Sequence, residues 1–264
     1  MFGRIIFFLI FSLGHLNVLS QENIVYEVNY INYFEIDNEK FNSYFQFTDE
    51  EIKERNRDVF TSLKEYVLFF DHEQSEFNYN AKLNNSQTTN DRIRQNGNEV
   101  VFHNNSGLIL YRNLVENFAL IPQENNIFVQ DSLIPFHWNT YFEDEKEILG
   151  YKVKKATTKG LEPNTNVIAW YTVDLQVQHG PFYYWGLPGL ILKIDVFVND
   201  NNGIGSFINS YHYEATSLKK PKKNYKFQTT ENAKILNQKE YDEKQEAHFK
   251  KQRKFESQGV DKRE

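Results

Sequence analysis

Gly180-Pro181-Phe182-Tyr183-Tyr184-Trp185-Gly186-Leu187-Pro188-Gly189-Leu190-Ile191-Leu192-Lys193-Ile194-Asp195-Val196-Phe197-Val198 decides how this chain is read. Glycine permits positive φ and close backbone approach, and proline fixes φ while removing a donor. Gly186-Leu187-Pro188-Gly189 therefore predicts a tight turn, with Leu187 extended before the proline and Gly189 in the left-handed position that follows it. From Leu190 onward, Lys193 and Asp195 interrupt an apolar run at two-residue spacing, the pattern of a strand with one buried face. Phe182-Tyr183-Tyr184-Trp185, read as extended chain, cannot all face one core, so part of this aromatic run is expected to line a second surface. The stretch reads as a structural motif without chemistry of its own.

The same residues carry a resemblance. Gly186-Leu187-Pro188-Gly189-Leu190-Ile191 resembles the signature of the GLPGLI family, exported proteins best known from Bacteroidetes and without an assigned activity. Upstream, Gly150-Tyr151-Lys152-Val153-Lys154-Lys155-Ala156, Ala169-Trp170-Tyr171-Thr172 and Gly180-Pro181 look like further elements of that family in the same order. The likeness covers roughly Trp138 to Val198. Val153 stands where many relatives carry Cys, so no thiol role carries over. The resemblance implies an exported protein and names no reaction.

Composition bounds the remainder. The 264 residues could hold one large β domain or two small ones, and 40% hydrophobic and 16% aromatic side chains are enough for a real core. A formal net charge of −6 argues against nucleic acid as a partner. The absence of Cys excludes disulfides, thiolate metal sites and a Cys nucleophile.

Residues 1–20 read as a secretory signal peptide, with Arg4 ahead of the apolar run Ile5–Leu13 and Ser20 at the cleavage position. That run is too short for the ~20 apolar residues that span a bilayer. No second spanning segment follows, so the mature chain is expected in the periplasm or cell envelope, or secreted. Residues 21–230 then form one β domain and 231–264 a charged C-terminal helix or tail. Within the β domain, half-buried strand patterns recur between Gly, Asn and Pro without βαβ alternation. The expected fold is mainly β (α+β): a single large curved antiparallel sheet or half-barrel meander with one short internal helix and a C-terminal helix. Thr48 and Glu51 resemble a capping box for the internal helix, and Asn80–Asn98 reads as a polar loop. Ile235, Leu236, Tyr241, Phe249 and Phe255 offer the terminal helix a narrow docking stripe.

Chemistry is sparse. The seven histidines form no metal-binding motif, and neither a nucleophile elbow nor a phosphate loop is present. Asp71-His72-Glu73 has ligand-type side chains but sits at a hairpin turn, where hydrogen bonds to backbone are their ordinary work. Asp174 and His179 beside Tyr171 are the one pair that suggests acid–base catalysis. Aromatic surface is the stronger signal, and Trp138, Trp170, Tyr171, Tyr183 and Trp185 are the candidate ligand-binding residues. Gly180, Pro181, Gly186, Leu187, Pro188, Gly189, Leu190 and Ile191 are assigned to structure. No cofactor and no enzymatic activity are expected. The favoured expectation is a carrier for an apolar or amphipathic ligand, such as a lipid or lipopeptide, with a cavity lined by sheet and helix. The alternatives are an accessory protein that binds an outer-membrane protein or peptide by a sheet edge, and an enzyme using Asp174 and His179.

Overall fold

The structure, a computed structural model, describes residues 24–80, 90–95, 98–103, 107–123, 127–199, 206–222, 225–227 and 234–259. The signal-peptide reading of residues 1–20 lies outside them. Val25–Ile36 (β1) buries Val28, Tyr30 and Asn32 on one face, as alternate residues of a strand must. Lys64–Phe70 (β2), Gln74–Tyr79 (β3), Gly107–Asn113 (β6), Phe118–Pro122 (β7) and Ile127–Ser132 (β8) extend the sheet on one side of β1. Ile208–Lys222 (β13), Leu190–Val198 (β12), Thr165–Thr172 (β11), Tyr151–Lys159 (β10) and Glu145–Ile148 (β9) extend it on the other. Lys234–Asn237 (β14) pairs with β8, which completes a 12-stranded open sheet.

The mainly β expectation holds, with differences of physical origin. The sheet is mixed, because β14 runs parallel to β8. Parallel neighbours need a long crossover, and the many residues between Ser132 and Lys234 provide one. The order is also not a simple meander, since β1 lies between β2 and β13. Residues 90–95, expected within a loop, form β4 (Asn90–Gln95) and pair with Asn98–His103 (β5) in a separate two-stranded sheet. Paired backbone groups satisfy one another whatever the polarity of the side chains.

Among the described residues, two internal helices are present where one was expected. Asn38–Tyr44 (α1) starts from Asp37, whose carboxylate accepts from the Glu39 and Lys40 amides. Glu50–Thr61 (α2) is capped by Asp49, which accepts from Glu51 N at 2.9 Å, so the cap lies one residue beyond Thr48. Phe41, Val59 and Phe60 of these helices, with Phe45 at the C-cap of α1, pack with Phe207 into a small core of their own. Gln238–Gly259 (α3) begins with a reciprocal Asn237–Glu240 cap. Its expected docking stripe is not formed as read, since Ile235 and Leu236 belong to β14 and Phe249 is exposed. No helix among the described residues is long and apolar enough to cross a membrane.

The main core lies on one face of the sheet, where Tyr30, Leu68, Phe77, Leu110 and Ile194 meet a covering layer of irregular chain. That layer comprises the segments around residues 133–138 and 173–189, and Val177, Tyr184 and Leu187 are its buried anchors. The signature therefore supplies both a lid over the sheet and, from Leu190, a strand within it.

Candidate functional site

The signature folds differently from its expected turn. Tyr184 N–H donates to Pro181 O at 3.1 Å, and Phe182 between them has φ 51°, a left-handed conformation that a bulky residue rarely adopts. This turn, and not an extended run, lets Phe182, Tyr183, Tyr184 and Trp185 all pack against the same core. Tyr184 is buried in that core, while Tyr183 and Trp185 stay partly accessible and line a cleft, so part of the run does face a second surface. Gly186, with φ +90°, occupies the left-handed position that was assigned to Gly189. Gly189 is required instead for proximity, because a Cβ there would stand 2.0 Å from Thr172 O. Gly180 is also pressed, a Cβ meeting Ile191 and the Tyr184 carbonyl at 2.8 Å.

Two indoles fasten the covering layer. Trp138 Nε1 donates to Trp185 O at 2.8 Å, and Trp185 Nε1 donates to Ile134 O at 3.0 Å. Beside this staple is a cleft with about 40 Å³ of free space, walled by Leu110, Ala119, Ile121, Ile134 and Phe136. Tyr183 and Trp185 line it, so the structure brings together two of the five candidate binding residues. Trp138 supports the cleft from behind through its bond to Trp185. Tyr171 is buried in the core. Trp170 is set opposite Lys193 on β12 and lies beneath the Lys146 ammonium, 4.0 Å from its ring centroid, on the polar side of the sheet. The cleft is lined by sheet and covering loop, and no described side chain of α3 reaches it, contrary to the cavity of sheet and helix that was expected.

Arg112, 2% exposed, sits at the inner end of this cleft. Its Nη2 donates to the carbonyl of the left-handed Phe182 at 2.6 Å and its Nη1 to Ser75 Oγ at 3.4 Å. Among the described residues it has no carboxylate partner and Nε makes no hydrogen bond. Burial pushes its pKa down to about 9, although Tyr183 and Tyr30 act in the opposite direction. A guanidinium with so little water and no counter-charge favours an anion that could reach it. Little in the sequence points to this residue, because an Arg in Leu-Ile-Leu-Tyr-Arg-Asn reads as a solvent-facing strand position. Parity with the core residue Leu110 was the available clue.

The expected Asp174–His179 couple is not formed. Asp174 is exposed, its amide bonded to Thr172 Oγ1, while His179 is fully buried behind the lid. Neither ring nitrogen of His179 has a hydrogen-bond partner. Burial and the nearby Arg112 charge push its pKa down to about 3, outweighing a small opposing contribution from the Asp71 backbone. It is a neutral core residue. Asp71 accepts from the Glu73 and Gln74 amides at 2.8 Å, the bland turn role, and no metal-holding group of side chains occurs among the described residues.

Sequence reading missed a polar network on the opposite face of the sheet. His212 Nδ1 lies 2.6 Å from Asp195 Oδ1 and its Nε2 2.9 Å from Ser210 Oγ, and Ser210 donates to Glu35 Oε2 at 3.0 Å. Lys193 continues the chain, 3.6 Å from Asp195 and 2.8 Å from Glu214. These distances are those of a nucleophilic triad, but the surroundings differ. Ser210 is 1% exposed, already engaged by Glu35, and paired with strands on both sides, which leaves no free amides for an oxyanion. The network fastens β1, β13 and β12 together. Ser210→Ala is expected to lower stability by about 1–3 kcal/mol, the cost of stranding a buried partner. A fluorophosphonate probe should leave Ser210 of the intact protein unlabelled, as read by peptide mass analysis.

Residues 152–193 match a family model described as "Protein of unknown function (Porph_ging)". That span runs from β10 to the start of β12 and includes the Gly-Leu-Pro-Gly turn. None of the curated proteins matches this chain. Among solved structures, PNGF-II in a C2 crystal form is similar at 20% identity and a TM-score of 0.48, covering 83% of this chain and 32% of its own. PNGF-II in a P21 form gives 19% identity and the same TM-score and coverage. The chain thus spans about a third of the length of the solved structures it matches.

Proposed function

We propose that this protein is an exported, non-catalytic binding module of the cell envelope, of the GLPGLI type, that holds an amphipathic ligand in the cleft between sheet and covering loop. The supporting observation is the composition of that cleft: an apolar wall with Tyr183 and Trp185 on one side and a buried Arg112 at its inner end. Pockets that are mostly apolar, with few placed polar groups, hold ligands by burial and orient them by the polar contacts. The apolar character continues outward, since Ile134 and Leu161 border the cleft and are 56% and 40% exposed. The N-terminal leader pattern and the motif order around Gly186–Ile191 are the grounds for export and for the family. Binding and not turnover is proposed here, because Asp174 and His179 are apart and His179 stays neutral.

Native mass spectrometry of the protein recovered from an envelope fraction tests this reading. The expected result is a solvent-extractable amphiphile bound to the native protein and reduced in Ile134→Trp, where the larger ring obstructs the mouth. A bare mass for the native protein, with added amphiphiles also failing to bind, would overturn it.

A further inference from the structure

Arg112 and Phe182 say more about the cleft than its wall does, and the argument rests on the binding reading just given. A single buried guanidinium offers one positive charge and a planar fork of donors, two of which could engage one carboxylate side by side. Here that fork is spent on neutral acceptors: the Phe182 carbonyl at 2.6 Å and Ser75 Oγ at 3.4 Å. The Phe182 contact is made by a residue in the left-handed region, φ 51°, where a side chain with a ring is disfavoured. The arrangement joins an uncompensated buried charge to a strained turn in the covering loop.

We propose that Arg112 is the seat for the carboxylate of a single-chain amphiphile, and that the carboxylate takes the guanidinium from Phe182 O and so unlatches the Pro181–Tyr184 turn. The free space of about 40 Å³ suits a head group of carboxylate size and is far too small for a tail while the turn is closed. Release of the turn would extend the cleft along Ile121 and Phe136 toward Ile134 and Leu161 at the mouth. One cation balances one negative charge, and Asp131 at the exposed rim disfavours a polyanionic head such as a phosphate ester. Charge, size and wall together select a fatty-acid-like monocarboxylate.

Titration of the intact protein with decanoate and, separately, decanol tests this by calorimetry, with Trp185 fluorescence as a second signal. The two probes share a tail and differ in the head group. Decanoate is expected to bind at least about tenfold more tightly, the range of a charge-assisted hydrogen bond. Arg112→Met, which removes the charge at similar volume, should bring the two affinities together. Amide exchange at Tyr184, whose N–H is held by Pro181 O at 3.1 Å, should accelerate when decanoate saturates the native protein. Equal binding of decanoate and decanol by the native protein would overturn the carboxylate seat and leave the binding cleft standing. Preference for decanoate with Tyr184 exchange unchanged would overturn the latch. Failure of both probes to bind would count against the cleft itself. The comparison of two ligands on the native protein needs no variant to fold.

Discussion

Gly189→Val is expected to prevent stable folding, and Gly189→Ala to cost more than about 4 kcal/mol, the range that marks a specific steric failure. A Cβ at this position falls 2.0 Å from Thr172 O and 2.7 Å from Thr172 C, and both are backbone atoms of β11 that cannot rotate aside. Gly186→Ala provides the contrast. There the nearest obstacle is Trp138 Nε1 at 3.9 Å, so only the φ of +90° is penalised, at about 1–2 kcal/mol. Pro188 is exposed, and Pro188→Ala should cost less than about 1 kcal/mol through added freedom in the unfolded chain. Thermal and urea unfolding of the four variants should rank them in that order. An unchanged melting temperature for Gly189→Val would refute the claim that this contact organises the lid.

Acid sensitivity carried by a core histidine is the second large effect. In the folded protein burial holds the His179 pKa down to about 3, whereas in the unfolded chain it lies at its ordinary 6.5. Between those values the unfolded state binds a proton that the folded state refuses, so stability falls as pH falls. The slope approaches ~1.4 kcal/mol per pH unit and sums to at most ~5 kcal/mol across the window. Above pH 6.5 the imidazole is neutral in both states and contributes no pH dependence. His179→Phe should flatten the acid limb of a stability profile between pH 6.5 and 4, because phenylalanine has no proton to bind, and its ring keeps the packing against Phe70, whose centroid is 5.7 Å from the imidazole. A profile that keeps its full slope in this variant would show that other groups set it.

Much of the strand content was legible because alternation is a local property. Leu192, Ile194 and Val196 are buried and Lys193 and Asp195 are only partly so, as their spacing in the sequence predicts. Glycine and proline marked the lid, but the physical job of each Gly was not readable. The left-handed position expected at Gly189 falls at Gly186, and Gly189 is needed for its proximity to Thr172, which depends on how β11 is placed. The aromatic run Phe182–Trp185 was read as extended chain, and the turn closed by Tyr184 N–H and Pro181 O changed where its rings point. The cleft was half visible through Tyr183 and Trp185 and half hidden. Arg112 and Phe182 are 70 residues apart in sequence, and nothing local in either indicates the other. The same holds for Asp195, His212 and Ser210, where pairing register across strands, and not spacing along one, brings the side chains into line. His179 was noticed for its chemistry, but its burial removes that chemistry.

The central position of β1 has a consequence for how the molecule assembles. One flank of this strand is covered early, by β2, in a hairpin-like neighbour relation close in sequence. The other must wait for β13: Asn29 reaches Ser217 across 188 residues and Asn32 reaches His212 across 180, while Tyr30 reaches past it to Ile191 of β12 across 161. Contacts this distant are costly to close and belong to the slow end of folding. Until they form, the β1–β2–β3 half presents an unpaired edge rich in Tyr and Phe, of the kind that invites pairing with a second chain. The middle of the finished sheet is therefore its last seam to close, and substitutions along β13 should show themselves first in folding yield and only afterwards in the stability of the molecules that succeed.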